Sequence, residues 1–279
     1  NLDATGALTN DPPVLASEKL KTRAAINASY GLGGRSIWTV GFDPACMSGG
    51  LSNDSSNNNF TLTNANELES LLFNCPKSPN PTATGDLIGF SRGLNSYWEE
   101  NAPVTAVRSS VLGDTYHSEM VLVGAPNAPW SSDVNMFSKS EAYYRFTKGY
   151  SNFIANNAAR RPQIYVGAND GMVHAFDADL NERWAFIPPS VLPMLRNMTG
   201  EKGIATGGGT SNSTFTVDGP ITVKDVYFNA EGKWKTVLMG GLGWGGNSYY
   251  ALDITDPDLP KHLFTVSNDV SNKLINYWD

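Results

Sequence analysis

A hairpin with a glycine-bearing turn, closing on a small residue and an aspartate two positions apart, occurs twice in this chain. That recurrence constrains the fold more than any other feature. The first copy is Val166-Gly167-Ala168-Asn169-Asp170-Gly171-Met172-Val173-His174-Ala175-Phe176-Asp177. The second runs from Met239 through Gly240-Gly241-Leu242-Gly243-Trp244-Gly245-Gly246-Asn247-Ser248-Tyr249-Tyr250-Ala251-Leu252 to Asp253, with three more residues in its turn. Each copy is preceded by a strand-like run (118–124; 216–226) and followed by another (184–187; 262–266). Four strands per repeat, twice over, is the pattern of β-propeller blades. The closing aspartates lie 76 positions apart, more than the roughly 45 residues of a lean blade, so insertions are expected near 126–160 and 188–213. A β-sandwich is the alternative, but it gives no reason for the same turn and ending in both halves.

The surrounding runs agree. Met120–Val123, Gln163–Val166, Met172–Phe176, Trp184–Ile187, Phe215–Val217, Ile221–Val226, Thr236–Met239 and Tyr249–Asp253 are short, apolar or β-branched, and bounded by Gly, Asp and Asn, as antiparallel strands are. One short helix is expected at 143–155. Residues 1–110 read as an irregular segment rich in turn chemistry. A strand is expected there at Ser36–Val40, and short helices at Asn64–Phe73 and Asp86–Gly93. The expected fold is therefore all-β, a partial propeller over 111–279 behind an irregular segment with short helices. Its first blade spans about 111–188 and its second about 213–267, with a third beginning after 267.

The recurring residues have packing roles. The turns Asn169-Asp170-Gly171 and Gly245-Gly246 need glycine where φ is positive. Ala175 and Ala251 leave room for a neighbouring side chain, Asp177 and Asp253 accept backbone hydrogen bonds where a turn begins, and Trp184 is placed to lie across the next blade, burying on the order of 200 Å². Trp244, between glycines at a loop tip, is the residue expected to touch a partner.

Composition removes whole classes of function. With 20 Lys+Arg against 27 Asp+Glu, a net charge of -7 and no basic run longer than Arg160-Arg161, the chain is unsuited to binding nucleic acid. No apolar run approaches the roughly 20 residues of a membrane span. Charged residues make up only 17%, against about 25% in a typical soluble protein, which with abundant Gly and Asn points to an exported, loop-rich β protein. The sequence opens on Asn1 without a basic-then-apolar leader, so any export signal is expected upstream or already removed. Cys46 and Cys75 are expected to form one disulfide closing a loop of about 30 residues, worth about 3 kcal/mol. Two unpaired thiols are the alternative.

At this point the strings resemble a known family. Gln163–Asp177 and Trp184-Ala185-Phe186-Ile187-Pro188 resemble the C-terminal propeller of the PilC/PilY family, the tip-located adhesins and assembly factors of type IV pili. Leu112-Gly113-Asp114-Thr115-Tyr116-His117-Ser118 is similar to the start of its first blade, and Leu87–Gly93 to its pre-propeller segment. Val217-Asp218-Gly219-Pro220 and Tyr250–Pro257 also fit, so the resemblance covers about 86–267. The blade ending resembles the tryptophan-docking motif of quinoprotein-type propellers. It departs from that motif in having Leu180-Asn181 where Thr-Gly is usual and Leu263-Phe264 in place of the second tryptophan. Asn181 is the residue expected to take the left-handed turn conformation. The resemblance implies a piece of a longer bacterial protein, exported through the periplasm and outer membrane to the cell surface and pilus tip. It implies pilins or minor pilins as partners and attachment to host or abiotic surfaces; the alternative is a periplasmic or outer-membrane propeller scaffold. The family's calcium loop has no match here, so no cofactor is expected in this segment and Ca2+ would belong to later blades.

Catalysis finds little support. His117, His174 and His262 share no spacing, Gly-x-Ser-x-Gly is absent, and the paired cysteines and calcium carboxylates of a quinone dehydrogenase are missing. Asp170, Asp177 and Asp179 read as turn residues rather than a carboxylate site. Asp54, Ser56 and Asn58 have EF-hand-like spacing, but Ala65 stands where a Glu is needed, so 52–59 reads as a flexible polar loop. The Asn-x-Ser/Thr matches at Asn27, Asn53, Asn59, Asn197 and Asn212 are chance matches in a bacterial setting.

Overall fold

The computed structural model describes residues 14–25, 34–41, 51, 57–73, 80–133, 140–204, 206–269 and 274–278. Two five-stranded sheets dominate it. In the first, β2 (Val121–Val123), β3 (Gln163–Ala168), β4 (Met172–Asp177) and β5 (Glu182–Ile187) form an antiparallel meander. The second repeats it with β6 (Ile221–Phe228), β7 (Lys233–Gly241), β8 (Ser248–Asp253) and β9 (Lys261–Asp269). The register matches in detail. Ala175 pairs with Trp184 and Ala251 with Phe264, and the ladder shifts one residue later in each, between Ala175 and Phe176 and between Ala251 and Leu252. The same bulge at the same place re-aims both fourth strands.

Each meander gains its fifth strand from outside the repeat. β1 (Ile37–Thr39) adds to β5 in parallel, so the segment before 110 is built into the first sheet. β10 (Leu274–Trp278) adds antiparallel to β9, which corrects the expectation of a third blade after 267: that stretch first finishes the second sheet. The Phe215–Val217 strand is likewise absent. Its backbone is held by side chains and loops instead, with the Thr216 N–H donating to Asn169 Oδ1 at 3.0 Å.

The N-terminal segment is more ordered than its turn-rich sequence suggested. Helix α1 (Ala16–Ala25) was not anticipated. Its Leu20 and Ala24, four apart and so on one face, cover Val166 and Phe176 on the outer side of the first sheet. Helix α2 (Ala65–Phe73) buries Leu68 and Leu72. Helix α3 (Pro81–Arg92) starts five residues before the expected Asp86, because Asn80 caps it by accepting from the Ala83 N–H at 3.1 Å and Pro81 supplies a first-turn φ. Together with Ile37, Trp38 and Phe60, α2 and α3 share one apolar core with Tyr165, Trp184, Phe186 and Leu238. The helix expected at 143–155 is two, α4 (Glu141–Thr147) and α5 (Tyr150–Asn156), divided where Gly149 has φ 65°. A last short helix, α6 (Leu195–Met198), follows the first sheet.

Asn58 and Asn59, placed by the sequence in a flexible loop, are buried and seal the free edge of β1. Asn59 Oδ1 accepts from the Thr39 N–H at 2.9 Å while its Nδ2 donates to the Thr39 carbonyl at 2.8 Å. Side-chain amides here do what a neighbouring strand would do. Cys46, Cys75, Asp54 and Ser56 lie outside the described residues.

Candidate functional site

The blade-ending residues take up packing positions. Trp184 is 2% exposed. Its ring lies 5.7 Å from Tyr165 and 6.3 Å from Trp38, both on its own sheet, while its Nε1 donates across to the Pro257 carbonyl of the second repeat at 2.9 Å. The ring thus packs against aromatics of its own sheet while its polar end crosses to the second repeat, within a core that both repeats share. Ala175 and Ala251 are buried. Asp177 accepts from the backbone of Asp179 (3.0 Å) and Asn181 (2.9 Å), and Asp253 from Thr255 N and Oγ1. The left-handed residue of the first of these turns is Leu180, at φ 63°, rather than Asn181. Asn181 instead spends its amide on the Asp177 carboxylate, at 3.2 Å to each oxygen.

The first hairpin turn is a junction. Asn169 Nδ2 donates to Asp114 Oδ2 at 3.0 Å and to Asp218 Oδ1 at 3.3 Å, so one amide ties together the segments that lead into both repeats. A Cβ at Gly167 would come within 2.5 Å of the Val217 carbonyl oxygen, and one at Gly245 would collide with that of Thr216. Glycine is required at both because backbones approach there too closely for any side chain. Gly171 has φ 92° and Gly246 φ 149°.

Beneath this turn runs a buried charge chain that the sequence did not reveal. The Arg35 guanidinium forks onto Glu182, with Nε to Oε2 at 2.8 Å and a terminal nitrogen to Oε1 at 2.9 Å. His174 Nδ1 lies 2.9 Å from the same Oε1, and its Nε2 lies 3.1 Å from both oxygens of Asp170. Asp170 in turn accepts from the Gly113 N–H at 3.1 Å. Burial alone would lower the His174 pKa, but the Asp170 and Glu182 carboxylates outweigh it and push it up to about 9. Burial would likewise raise the two acids, yet Arg35 and His174 hold Glu182, and His174 and then Arg35 hold Asp170, below the usual carboxylate range. Two cations and two anions balance, which is what lets such groups stay buried. No sequence pattern links Arg35 to residues 147 positions away; the one available sign was a histidine on an otherwise apolar strand.

Above the same junction the surface is aromatic. Trp244, in a tight turn over Gly243–Gly245, is 73% exposed and Tyr116 is 70% exposed. The His117 ring sits between them, 4.4 Å from Tyr116 and 5.0 Å from Trp244, and Phe215 joins at 5.3 Å from Trp244. The His117 Nδ1 donates to the buried Asp218 carboxylate, whose Oδ1 also accepts from the His117 N–H at 3.2 Å. With a carboxylate as the acceptor, Nδ1 is the donor of this pair, and the His117 side chain is 39% exposed. The four rings come from both lead-in segments and the second hairpin. The patch therefore exists only when the two sheets are docked. Among the described residues no group of three or more His, Cys, Asp or Glu could hold a metal ion, and no helix is long and apolar enough to cross a membrane.

Two repeated four-strand sheets, each carrying one added strand, define a segment of a β-propeller. Residues 112–277 match the PilY1 beta-propeller domain family. The chain is 38% identical over 178 residues to the type IV pilus biogenesis factor PilY1 homolog of Xylella fastidiosa, covering 63% of this chain and 13% of the relative. It is 37% identical over 184 residues to the type IV pilus biogenesis factor PilY1 of Pseudomonas aeruginosa strain PAK, covering 66% and 14%. The crystal structure of the Pseudomonas aeruginosa PilY1 C-terminal domain aligns with 53% of this chain and 25% of its own, at 33% identity and a TM-score of 0.36. The chain belongs to the PilY1 β-propeller family, and it spans about one seventh of the length of these relatives.

Proposed function

We propose that this chain is part of a type IV pilus biogenesis factor that works by contact, without catalysis, at the pilus tip, supporting pilus assembly and attachment to surfaces or host cells. The match of residues 112–277 to the propeller domain of proteins named as pilus biogenesis factors carries this reading. The exposed Tyr116/His117/Phe215/Trp244 patch supports contact as its means, since exposed aromatics on an ordered frame are what protein surfaces use for recognition. Pilins or minor pilins are the partners this reading implies.

The experiment replaces Trp244 and Tyr116 by Ala in the full-length protein in its own cell. Piliation, surface attachment and the amount of the protein in sheared pili are then measured. Normal cellular levels with reduced piliation or attachment are expected. Retention of the protein in the envelope fraction, with piliation and attachment unchanged even when the gene is deleted, would overturn the reading in favour of an envelope scaffold.

A further inference from the structure

We infer that the Tyr116/His117/Phe215/Trp244 patch is a binding site for a neutral saccharide, with a pyranose ring stacked on Trp244 and hydrogen-bonded to His117 Nε2. This rests on the reading of the patch as a contact surface and names the ligand that surface takes.

The patch itself offers rings rather than a strand edge. Beneath the patch several main-chain groups are already spent on one another or on side chains. The Asp218 N–H donates to Leu242 O, Leu242 N–H to Ser248 O and Gly245 N–H to Leu242 O, while His117 N–H and Thr216 N–H go to Asp218 and Asn169. Those groups are therefore not open to strand addition, the route by which extended peptides bind sheets; an unpaired edge of the second sheet is β6, beyond the patch. Recognition falls to the rings and to whatever polar atom lies among them.

That polar atom is His117 Nε2. With Nδ1 committed to Asp218, whose side chain is 1% exposed, the imidazole is held in one orientation and one tautomer. In that tautomer the other ring nitrogen, Nε2, is an acceptor for a sugar hydroxyl. The four-ring group contains no Lys or Arg, and the whole chain carries a net charge of -7, which disfavours an anionic ligand. An apolar aromatic face with one directional hydrogen-bonding group matches a pyranose. Its C–H face carries slight positive charge suited to the electron-rich ring face, and its hydroxyls lie at the rim.

The frame is rigid enough to present this face. Gly245 packs directly on Thr216, a Cβ at Gly243 would approach the Gly219 nitrogen to 2.9 Å, and Asp218 is tied to both His117 and Asn169. Pre-organisation of this kind lets a small ligand bind without an ordering cost. For one monosaccharide the affinity is still expected on the order of millimolar.

Saturation-transfer NMR tests the inference on the full chain with methyl β-D-galactopyranoside, methyl β-D-glucopyranoside and methyl α-D-mannopyranoside. Transfer to at least one of them is expected, strongest at the C–H protons of one ring face. Trp244→Ala and His117→Ala should each weaken binding at least tenfold, and Trp244→Phe less than Trp244→Ala, with the urea midpoint of each variant confirming that it folds. No transfer to any of the three, or undiminished transfer in folded Trp244→Ala, overturns it. If the sugars are silent while Trp244→Ala still lowers piliation, the saccharide fails and the contact surface survives. If a sugar binds through Trp244 while piliation and attachment are unchanged, the saccharide site stands and the pilus-contact reading of the patch fails.

Discussion

Glu182→Gln removes one negative charge from the centre of the buried chain with almost no change in volume. Glu182 is held bidentately by Arg35 and also meets His174. In the variant two cations, Arg35 and His174, are left facing Asp170 alone. Breaking a buried ion pair from one side costs about 3–5 kcal/mol. His174 relieves part of this by releasing its proton, so a loss of about 3 kcal/mol is expected. The pH dependence checks the same geometry independently. The His174 pKa is raised from its ordinary 6.5 to about 9. Its stabilisation is therefore complete below about pH 6.5 and is lost as pH rises through 9, by at most about 3 kcal/mol. Asp170 and Glu182 are shifted down, so their contribution is complete above the ordinary carboxylate range and is lost as pH falls below about 4. Maximum stability is expected at about pH 5–6.5. Urea unfolding of both proteins across pH 4–10 is the assay, with the alkaline slope reduced in the variant. A cost under 1 kcal/mol at pH 6, or a flat wild-type profile between pH 6.5 and 9.5, would refute the reasoning.

Trp184→Ala should cost about 3–5 kcal/mol in urea unfolding, since it empties a buried indole site and strands the Pro257 carbonyl; Trp244→Ala should change stability by less than about 1 kcal/mol, and the reverse ranking would contradict the placement of both. Tyr250→Phe should be neutral or stabilising in the same assay, because its buried hydroxyl has no hydrogen-bond partner; a loss above 1 kcal/mol would mean the hydroxyl is satisfied after all. Residues 111–279 expressed alone should aggregate, as they lack β1, Phe60, Leu68, Leu72 and Leu87 from the shared core and Arg35 from the charge chain; a monomer that melts cooperatively would disprove this. We also propose that Cys46 and Cys75 are disulfide-bonded, which mass spectrometry of non-reduced peptides would disprove by finding two free thiols.

The repeat was legible because its cause is local. A turn that needs glycine, a small residue opposite a large aromatic and an aspartate opening the next turn are short-range requirements. They recur wherever the same four-strand unit is built, so Ala175, Asp177, Trp184, Ala251 and Asp253 could be placed on a blade ending from sequence alone. The exposure of Trp244 followed in the same way from its flanking glycines. What sequence could not supply were the partners distant in the chain. Nothing local to Arg35 announces Glu182, and nothing local to Asn59 announces that its amide will close the edge of β1. His117 meets Asp218 and Trp244 only because two sheets dock through Gly167 and Asn169. The strand β1 read as a strand, but its sheet could not be read, since β-pairing is decided by which edge lies within reach after the core has formed. Burial then fixed the chemistry: a histidine on a strand became a cation balanced between two carboxylates only when the surrounding core excluded water.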